Sequence, residues 1–379
     1  MKDNICGIGV IGCGTYCGNY LKNMGTRFAN LRPMACADLN AEAAEKAAKD
    51  WNIPRVCTSD ELMSDPNVDI VLILTTPGSH YSLTMAALKA GKHVFCEKPL
   101  TTSLEQANEI VEYAKEHGLF VGSAPDTFLT PEFQTVRKLI DDGAIGKVIS
   151  VTANYVGPGA DLWHPNASFL YKKGGGPALD MAPYFLTTLV SLLGPIESLF
   201  CYANRGFDTR RIHGEDVDVD VNTNYCGVLQ FKDGAVGNIN MSFDEWKSGL
   251  PGLEIYGTEG VIIAPDPNTM GGPIKLLKAD EFTALVESKG DMFGKIGAIY
   301  GPESTALFRE IETLEPRRGN ERGLGIADMA EAIASGREAR VSADLCRHIT
   351  EAINAFDISA STRRPYDMTT TCEKPECLY

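Results

Sequence analysis

Apolar and polar positions follow two different regimes along this 379-residue chain. Over the first third, short and almost wholly apolar runs alternate with longer amphipathic stretches. The runs Ile5–Ile11, Arg32–Ala37, Asp69–Leu74, His93–Cys96 and Leu119–Gly122 predict strands, with Val56 the remnant of another. Continuous apolar strands are buried on both faces, the habit of a parallel sheet. Between them, five stretches read as helices: residues 15–28, Ala41–Trp51 behind an Asn40 cap, a short turn capped by Ser59 or Asp60, a helix from Ser79 to Gly91, and residues 103–117. Strands separated by helices at this spacing are βαβ units.

After residue 125 the pattern changes. A helix over Pro131–Asp142 leads into long alternating segments, Lys147–Asn154, Val217–Phe231, Ala235–Phe243 and Leu253–Ile263. Short turns at Lys232-Asp233-Gly234 and Gly257-Thr258-Glu259-Gly260 imply antiparallel pairing. The acidic run 215–220 alternates with period two and reads as a strand with one wet face rather than a calcium loop. One helix, about Asp180–Leu193, interrupts the strands, and two more close the chain at about Arg322–Ser335 and Asp344–Thr362. The expected fold is α/β. An N-terminal domain over residues 1–124 precedes an α+β domain over 125–379 built on a large, mostly antiparallel open sheet.

Composition narrows the function classes. The net charge of -15 argues against nucleic acid and anionic membranes as partners, since both need a basic surface. No apolar stretch is long enough to span a bilayer, and the opening residues do not read as a leader peptide. Eleven scattered cysteines fit reduced thiols in a cytoplasm. Six histidines without paired spacing, and Cys372 and Cys377 without partners, give no metal signal.

The first strand runs into Gly12-Cys13-Gly14-Thr15-Tyr16-Cys17-Gly18. Gly12 suits a tight turn and Gly14 the close approach of a pyrophosphate, while Cys17 stands as the small residue where helix and strand pack. A literal match at Gly7, Gly9 and Gly12 would lie inside the strand. Asp38, at the end of the second strand, is placed to accept from the adenosine ribose hydroxyls. Its charge would repel a 2′-phosphate, so the expected cofactor of this Rossmann domain is NAD. Thr75, Thr76 and Pro77 follow the Asp69–Leu74 strand, where ligands bind in open α/β sheets. His80 just beyond reads equally as a cofactor contact or a local hydrogen-bond partner.

Cys96-Glu97-Lys98-Pro99-Leu100 and Gly174-Gly175-Gly176-Pro177-Ala178-Leu179-Asp180-Met181-Ala182-Pro183-Tyr184 resemble motifs of the family of glucose–fructose oxidoreductase, inositol dehydrogenase and rhizopine-catabolism proteins, the Gfo/Idh/MocA oxidoreductases. The resemblance spans nearly the whole chain. It implies a sugar or polyol dehydrogenase with an N-terminal Rossmann domain and a C-terminal open sheet, and a homo-oligomer built through that sheet. It carries the family's lysine onto Lys98, with Glu97 beside the cofactor, and its aspartate onto Asp180. Tyr184 stands where most members have histidine. An ammonium at a strand's carboxyl end can stabilise a developing alkoxide, and a phenol beside it can accept a proton. His164 serves as base, substrate contact or structural residue, and the sequence leaves the three open. Tyr155 and Trp163 are candidate sugar contacts or equally local core, and Asp126 is a candidate substrate contact or equally a cap in a turn. The segments 126–129 and Trp163-His164-Pro165-Asn166 resemble gut-bacterial members that oxidise carbon 3 of glucosides, including C-glucosides. Two other classes share the pattern: an NAD-dependent glycoside hydrolase working by transient oxidation and elimination, and a non-catalytic NAD/sugar sensor.

Overall fold

The computed structural model describes residues 5–379 except 165, 269, 270 and 317, so Pro165 lies outside the described residues. The chain divides into two compact units. The first holds Met1–Leu129, Arg318–Ala355 and Thr369–Glu376; the second holds Thr130–Arg317, Phe356–Met368 and Cys377–Tyr379. Where one boundary at 124 was expected, the chain returns to the first unit after residue 317. Packing explains the return. A Cβ at Gly122 would lie 2.9 Å from Met329 Cε and 3.0 Å from the Val341 carbonyl oxygen, and Ser123 N donates to Cys346 Sγ at 3.1 Å.

The first unit is built on a parallel sheet of β1 (Cys6–Ile11), β2 (Leu31–Ala37), β3 (Ile70–Ile73), β4 (His93–Cys96) and β5 (Val121–Ser123), in the order β2-β1-β3-β4-β5. All of β1 and β3 is buried, as continuous apolar runs require. Val56 makes an isolated parallel bridge to Cys36, which is all that remains of the expected extra strand. The order reverses between β1 and β3, the switch point at which such sheets bind ligands beyond the strands' carboxyl ends.

Three helix expectations need correction here. The stretch 15–28 forms a helix only over Gly18–Leu21, because Gly25 adopts φ +75° and Asn23 spends its amide on the carbonyls of Asn320 and Arg322. Thr58, not Ser59 or Asp60, caps the helix Ser59–Met63, through a capping box with Glu61. The helix Pro77–Lys89 starts two residues before Ser79, with Pro77 in its first turn. Asn40 caps Ala41–Trp51 as expected, accepting from Glu42 N and Ala43 N.

The second unit's main sheet contains β6 (Val148–Val156), β7 (Ile196–Asn204), β10 (Asn224–Phe231), β11 (Val236–Ser242), β12 (Leu253–Gly257), β13 (Gly260–Ala264), β14 (Ile274–Lys278), β15 (Arg309–Ile311) and β16 (Tyr366–Asp367). Its order is β15-β14-β13-β12-β6-β11-β10-β7-β16. Every pairing is antiparallel except the parallel β6–β11 pair. The expected strand Val217–Phe231 is two strands. Glu215–Asp218 is β9, hairpinned to β8 (Thr209–Ile212), and Asn224 starts β10. Buried and exposed residues alternate along β10 and β11, so one face is wet. The helix Ala182–Leu193 is buried along its whole length, and Arg137, from the helix Pro131–Asp141, donates to the Ser191 carbonyl at 2.7 Å.

Candidate active site

In the first unit, β1 ends in a turn that only glycine permits. Gly12 adopts φ +100°, and a Cβ there would stand 2.7 Å from the Leu74 carbonyl carbon. Gly12 N donates to the Ala37 carbonyl at 2.9 Å, which ties the turn to the end of β2. At Gly14 the reverse holds. A Cβ would meet nothing within 4 Å, and Gly14, Thr15 and Tyr16 are all exposed. Cys17 is 5% exposed, but the closest packing falls one residue on, where a Cβ at Gly18 would lie 3.0 Å from the Trp51 ring. Gly7 and Gly9 are strand glycines. A Cβ at Gly7 would collide with the Asn67 carbonyl at 1.8 Å, and one at Gly9 with Leu62 at 2.5 Å.

Asp38 accepts from Cys13 N at 2.7 Å through Oδ2 and from Asn40 N at 2.8 Å through Oδ1. Each carboxylate oxygen takes more than one donor, so capacity remains for ribose hydroxyls. The Cys13 thiol donates to the Ala37 carbonyl at 3.7 Å, beside the Cys36 thiol. The neighbouring Cys36, and then burial, push its pKa well above the ordinary thiol value. Opposite this turn, Thr75 Oγ1 accepts from Ser79 Oγ at 2.7 Å, and Thr76 precedes Pro77 at the helix start. An open cradle beside Gly14, a turn without room for a side chain and a carboxylate at the end of β2 fit a dinucleotide.

Lys98 follows β4 and is half-buried. Glu97 is 8% exposed; Oε1 accepts from Tyr20 Oη at 2.6 Å and Oε2 from Lys98 N at 3.0 Å. Glu97, expected as a cofactor contact, has each oxygen accepting one bond inside the protein. His80 is fully buried, with Nδ1 2.7 Å from the Pro99 carbonyl oxygen and Nε2 3.0 Å from that of Thr75. Each ring nitrogen faces a main-chain carbonyl, one of which accepts the ring N–H, and this favours the local role over cofactor contact. Asp126 is 1% exposed, and its Oδ2 accepts from Gly323 N and Gly325 N at 3.0 Å, capping the helix Leu324–Ser335 from outside. Burial raises the Asp126 carboxyl pKa, against the pull of Arg322 and the two amides. Tyr20 and Arg322, whose guanidinium lies 5.7 Å from the Tyr16 ring centre, did not stand out in the sequence. Tyr20 lies edge-on to Tyr16, with ring centres 6.2 Å apart. Arg322 carries no local signal at all.

In the second unit, the glycine-rich run ends at Gly176, φ +88°, and Pro177 opens a short helix to Asp180. The expected continuous helix breaks at Met181. Pro183 has no N–H for the Leu179 carbonyl, so Ala182–Leu193 starts afresh. Asp180 is half-buried, and Tyr184, 4% exposed, follows one turn into the new helix. The loop after β6 is held by Arg210. Its guanidinium bonds the Pro158 carbonyl at 3.1 Å and Asp244 at 3.3 Å, and lies 3.7 Å from Asp161, which accepts from Tyr171 Oη at 2.5 Å. Burial, then the Asp161 bond, push the Tyr171 phenol up. This hub presents Trp163, 72% exposed, beside His164, whose Nδ1 accepts from Asn166 N at 3.0 Å. Tyr155 packs edge-on to Phe243. Among the described residues, no group of three or more His, Cys, Asp or Glu side chains converges on a metal position, and no helix is long and apolar enough to cross a membrane.

A parallel sheet with a glycine turn at its switch point, a carboxylate after its second strand and a second, largely antiparallel unit define a two-unit dinucleotide-binding protein. Comparison with known proteins specifies it. Residues 6–124 match the oxidoreductase family with an NAD-binding Rossmann fold, and residues 133–263 match the Gfo/Idh/MocA C-terminal domain. The chain belongs to the Gfo/Idh/MocA oxidoreductase family, and its first unit carries an NAD-binding Rossmann fold. A 1,5-anhydro-D-fructose reductase of Ensifer adhaerens is 32% identical over 230 residues, covering 59% of this chain and 65% of that protein. An NAD-binding oxidoreductase of Klebsiella pneumoniae superposes with a TM-score of 0.81 at 20% identity, over 97% of this chain and all of that one. A levoglucosan dehydrogenase solved with NADH and L-sorbose gives 0.79 at 22% identity, over 96% and 99%. Both structures share the fold.

Proposed function

We propose that this protein is an NAD-dependent oxidoreductase that removes hydride from a secondary hydroxyl of a sugar, glycoside or cyclic polyol. The supporting observation is Lys98, half-buried at the carboxyl end of β4 in the same sheet as the dinucleotide turn. Relatives named for 1,5-anhydro-D-fructose reduction and levoglucosan dehydrogenation agree with this chemistry. NAD, when bound, accepts the hydride.

The reading gives each residue a task. Gly12, Gly14, Thr15 and Tyr16 cradle the pyrophosphate, Asp38 takes the adenosine ribose, and Thr75, Thr76 and Pro77 border the cofactor. The Lys98 ammonium donates to the reacting oxygen and stabilises its alkoxide character. Asp180 orients the hydroxyl, and Tyr184 or His164 takes its proton. Trp163 and Tyr155 contact the sugar, and Trp163 offers an exposed ring for stacking. Carbon 3 of a glucoside is the preferred position. The assembled protein is a homo-oligomer formed through the wet face of the main sheet of the second unit, where Tyr202, Val228 and Val236 are exposed.

A panel of glucose, O- and C-glucosides, inositols and anhydro sugars, followed by NADH absorbance and by NMR of the product, tests this. Oxidation at carbon 3 of a glucoside supports it in full. Release of aglycone without net NADH selects the hydrolytic route, and no turnover across the panel refutes it.

A further inference from the structure

The turn carrying Lys98 is pinned on both sides by buried polar side chains, two of them from distant segments. Before it, the Glu97 carboxylate is shared between Tyr20 Oη at 2.6 Å and the Lys98 amide at 3.0 Å. After it, the Pro99 carbonyl faces His80 Nδ1 at 2.7 Å, and the same ring reaches the Thr75 carbonyl at 3.0 Å. Tyr20, Glu97 and His80 are 0%, 8% and 0% exposed. Burying a carboxylate, a phenol and an imidazole together is costly unless all are bonded, and apolar residues would fill the volume at less cost. The retained polar set acts on one object, the backbone from which the Lys98 side chain projects.

We propose that Tyr20, Glu97 and His80 are positioning residues for Lys98, holding its backbone on both sides so that the ammonium meets the reacting oxygen. The proposal rests on the reading of Lys98 given above. All three are buried and bonded to protein groups. Their effect runs through Lys98 placement, where a misplacement approaching 1 Å costs on the order of a hundredfold in rate. Tyr20→Phe removes one hydrogen bond and keeps the ring, so the expected shift is smaller.

The test compares wild type, Tyr20→Phe, His80→Gln, Glu97→Gln and Lys98→Met as full-length proteins. The measurements are kcat and KM with NAD and the best substrate of the panel, the NADH dissociation constant by fluorescence, and Tm. Lys98→Met should abolish turnover. Tyr20→Phe and Glu97→Gln should lower kcat on the order of tenfold, with NADH affinity within about twofold of wild type. His80→Gln should behave alike if its Tm is near wild type, and the other two variants carry the test if it is not. An active Lys98→Met overturns the parent reading. A dead Lys98→Met beside a Tyr20→Phe and a Glu97→Gln of unchanged kcat overturns only the positioning proposal. So does a loss of NADH affinity that accounts for the whole effect.

Discussion

Gly12 and Gly14 stand two residues apart in one turn, yet substitution by alanine should injure the protein in opposite ways. At Gly12 a Cβ would lie 2.7 Å from the Leu74 carbonyl carbon, 2.8 Å from its oxygen and 3.0 Å from Thr75 N, all main-chain atoms. Relief requires the β1 and β3 ends to part by roughly 0.7 Å, measured against ordinary contact distances. The positive φ adds about 1–2 kcal/mol. Gly12→Ala should therefore cost about 2–4 kcal/mol, a Tm drop of roughly 5–12 °C for a unit of this size. At Gly14 nothing lies within 4 Å of the added atom, so Gly14→Ala should leave stability within about 0.5 kcal/mol. Its methyl would occupy the pyrophosphate's approach and weaken NADH binding about 10–100-fold, or about 1.4–2.8 kcal/mol. Thermal melts without ligand and fluorescence titration with NADH separate the two effects. A Gly14→Ala protein that binds NADH like wild type, or a Gly12→Ala protein that melts like wild type, refutes the reasoning.

Asp38→Asn keeps an acceptor for one of its two backbone donors but removes the charge, so the NADPH-to-NADH affinity ratio should rise about tenfold or more; an unchanged ratio contradicts its role. Glu351 should make stability pH-dependent. Burial raises its pKa, but four hydrogen bonds from the N–H and O–H groups of Thr369 and Thr370 outweigh burial and lower it below 4.5. Its contribution is then complete above the unfolded value and lost as pH falls through the folded one. The Tm advantage of wild type over Glu351→Gln should shrink between pH 7 and about pH 3, and a constant gap contradicts it. Trp163→Ala should leave Tm within about 2 °C while raising the sugar KM several-fold, since the ring is 72% exposed. A Tm loss with unchanged KM makes the ring structural.

The sequence made the first sheet legible because parallel strands leave no polar face. The inner strands β1 and β3 are wholly buried apolar runs, and Gly12, Gly14 and Asp38 lie within one βαβ unit. The second sheet was harder. The parallel β6–β11 pair joins residues far apart in the chain, and β14 and β15 are five and three residues long, too short for alternation to show. Lys98 and Asp180 were legible as motif residues. What surrounds Lys98 was not, because the Tyr20–Glu97 bond spans 77 positions. Asp126 read equally as a substrate contact or a cap, because its partners, Gly323 and Gly325, lie nearly 200 residues downstream. Spacing rules read the residues that face a ligand along one stretch of chain, and long-range bonds decide which of them are free to do so.

The most direct measurement is NADH formation by wild type and Lys98→Met with the sugar panel, beside NADH binding by both proteins. The account predicts that wild type reduces NAD with at least one secondary alcohol of the panel. Lys98→Met should still bind NADH within a few-fold yet form none during catalysis, since the lysine acts on the reacting oxygen. A Lys98→Met protein that oxidises the same substrate at the wild-type rate contradicts it.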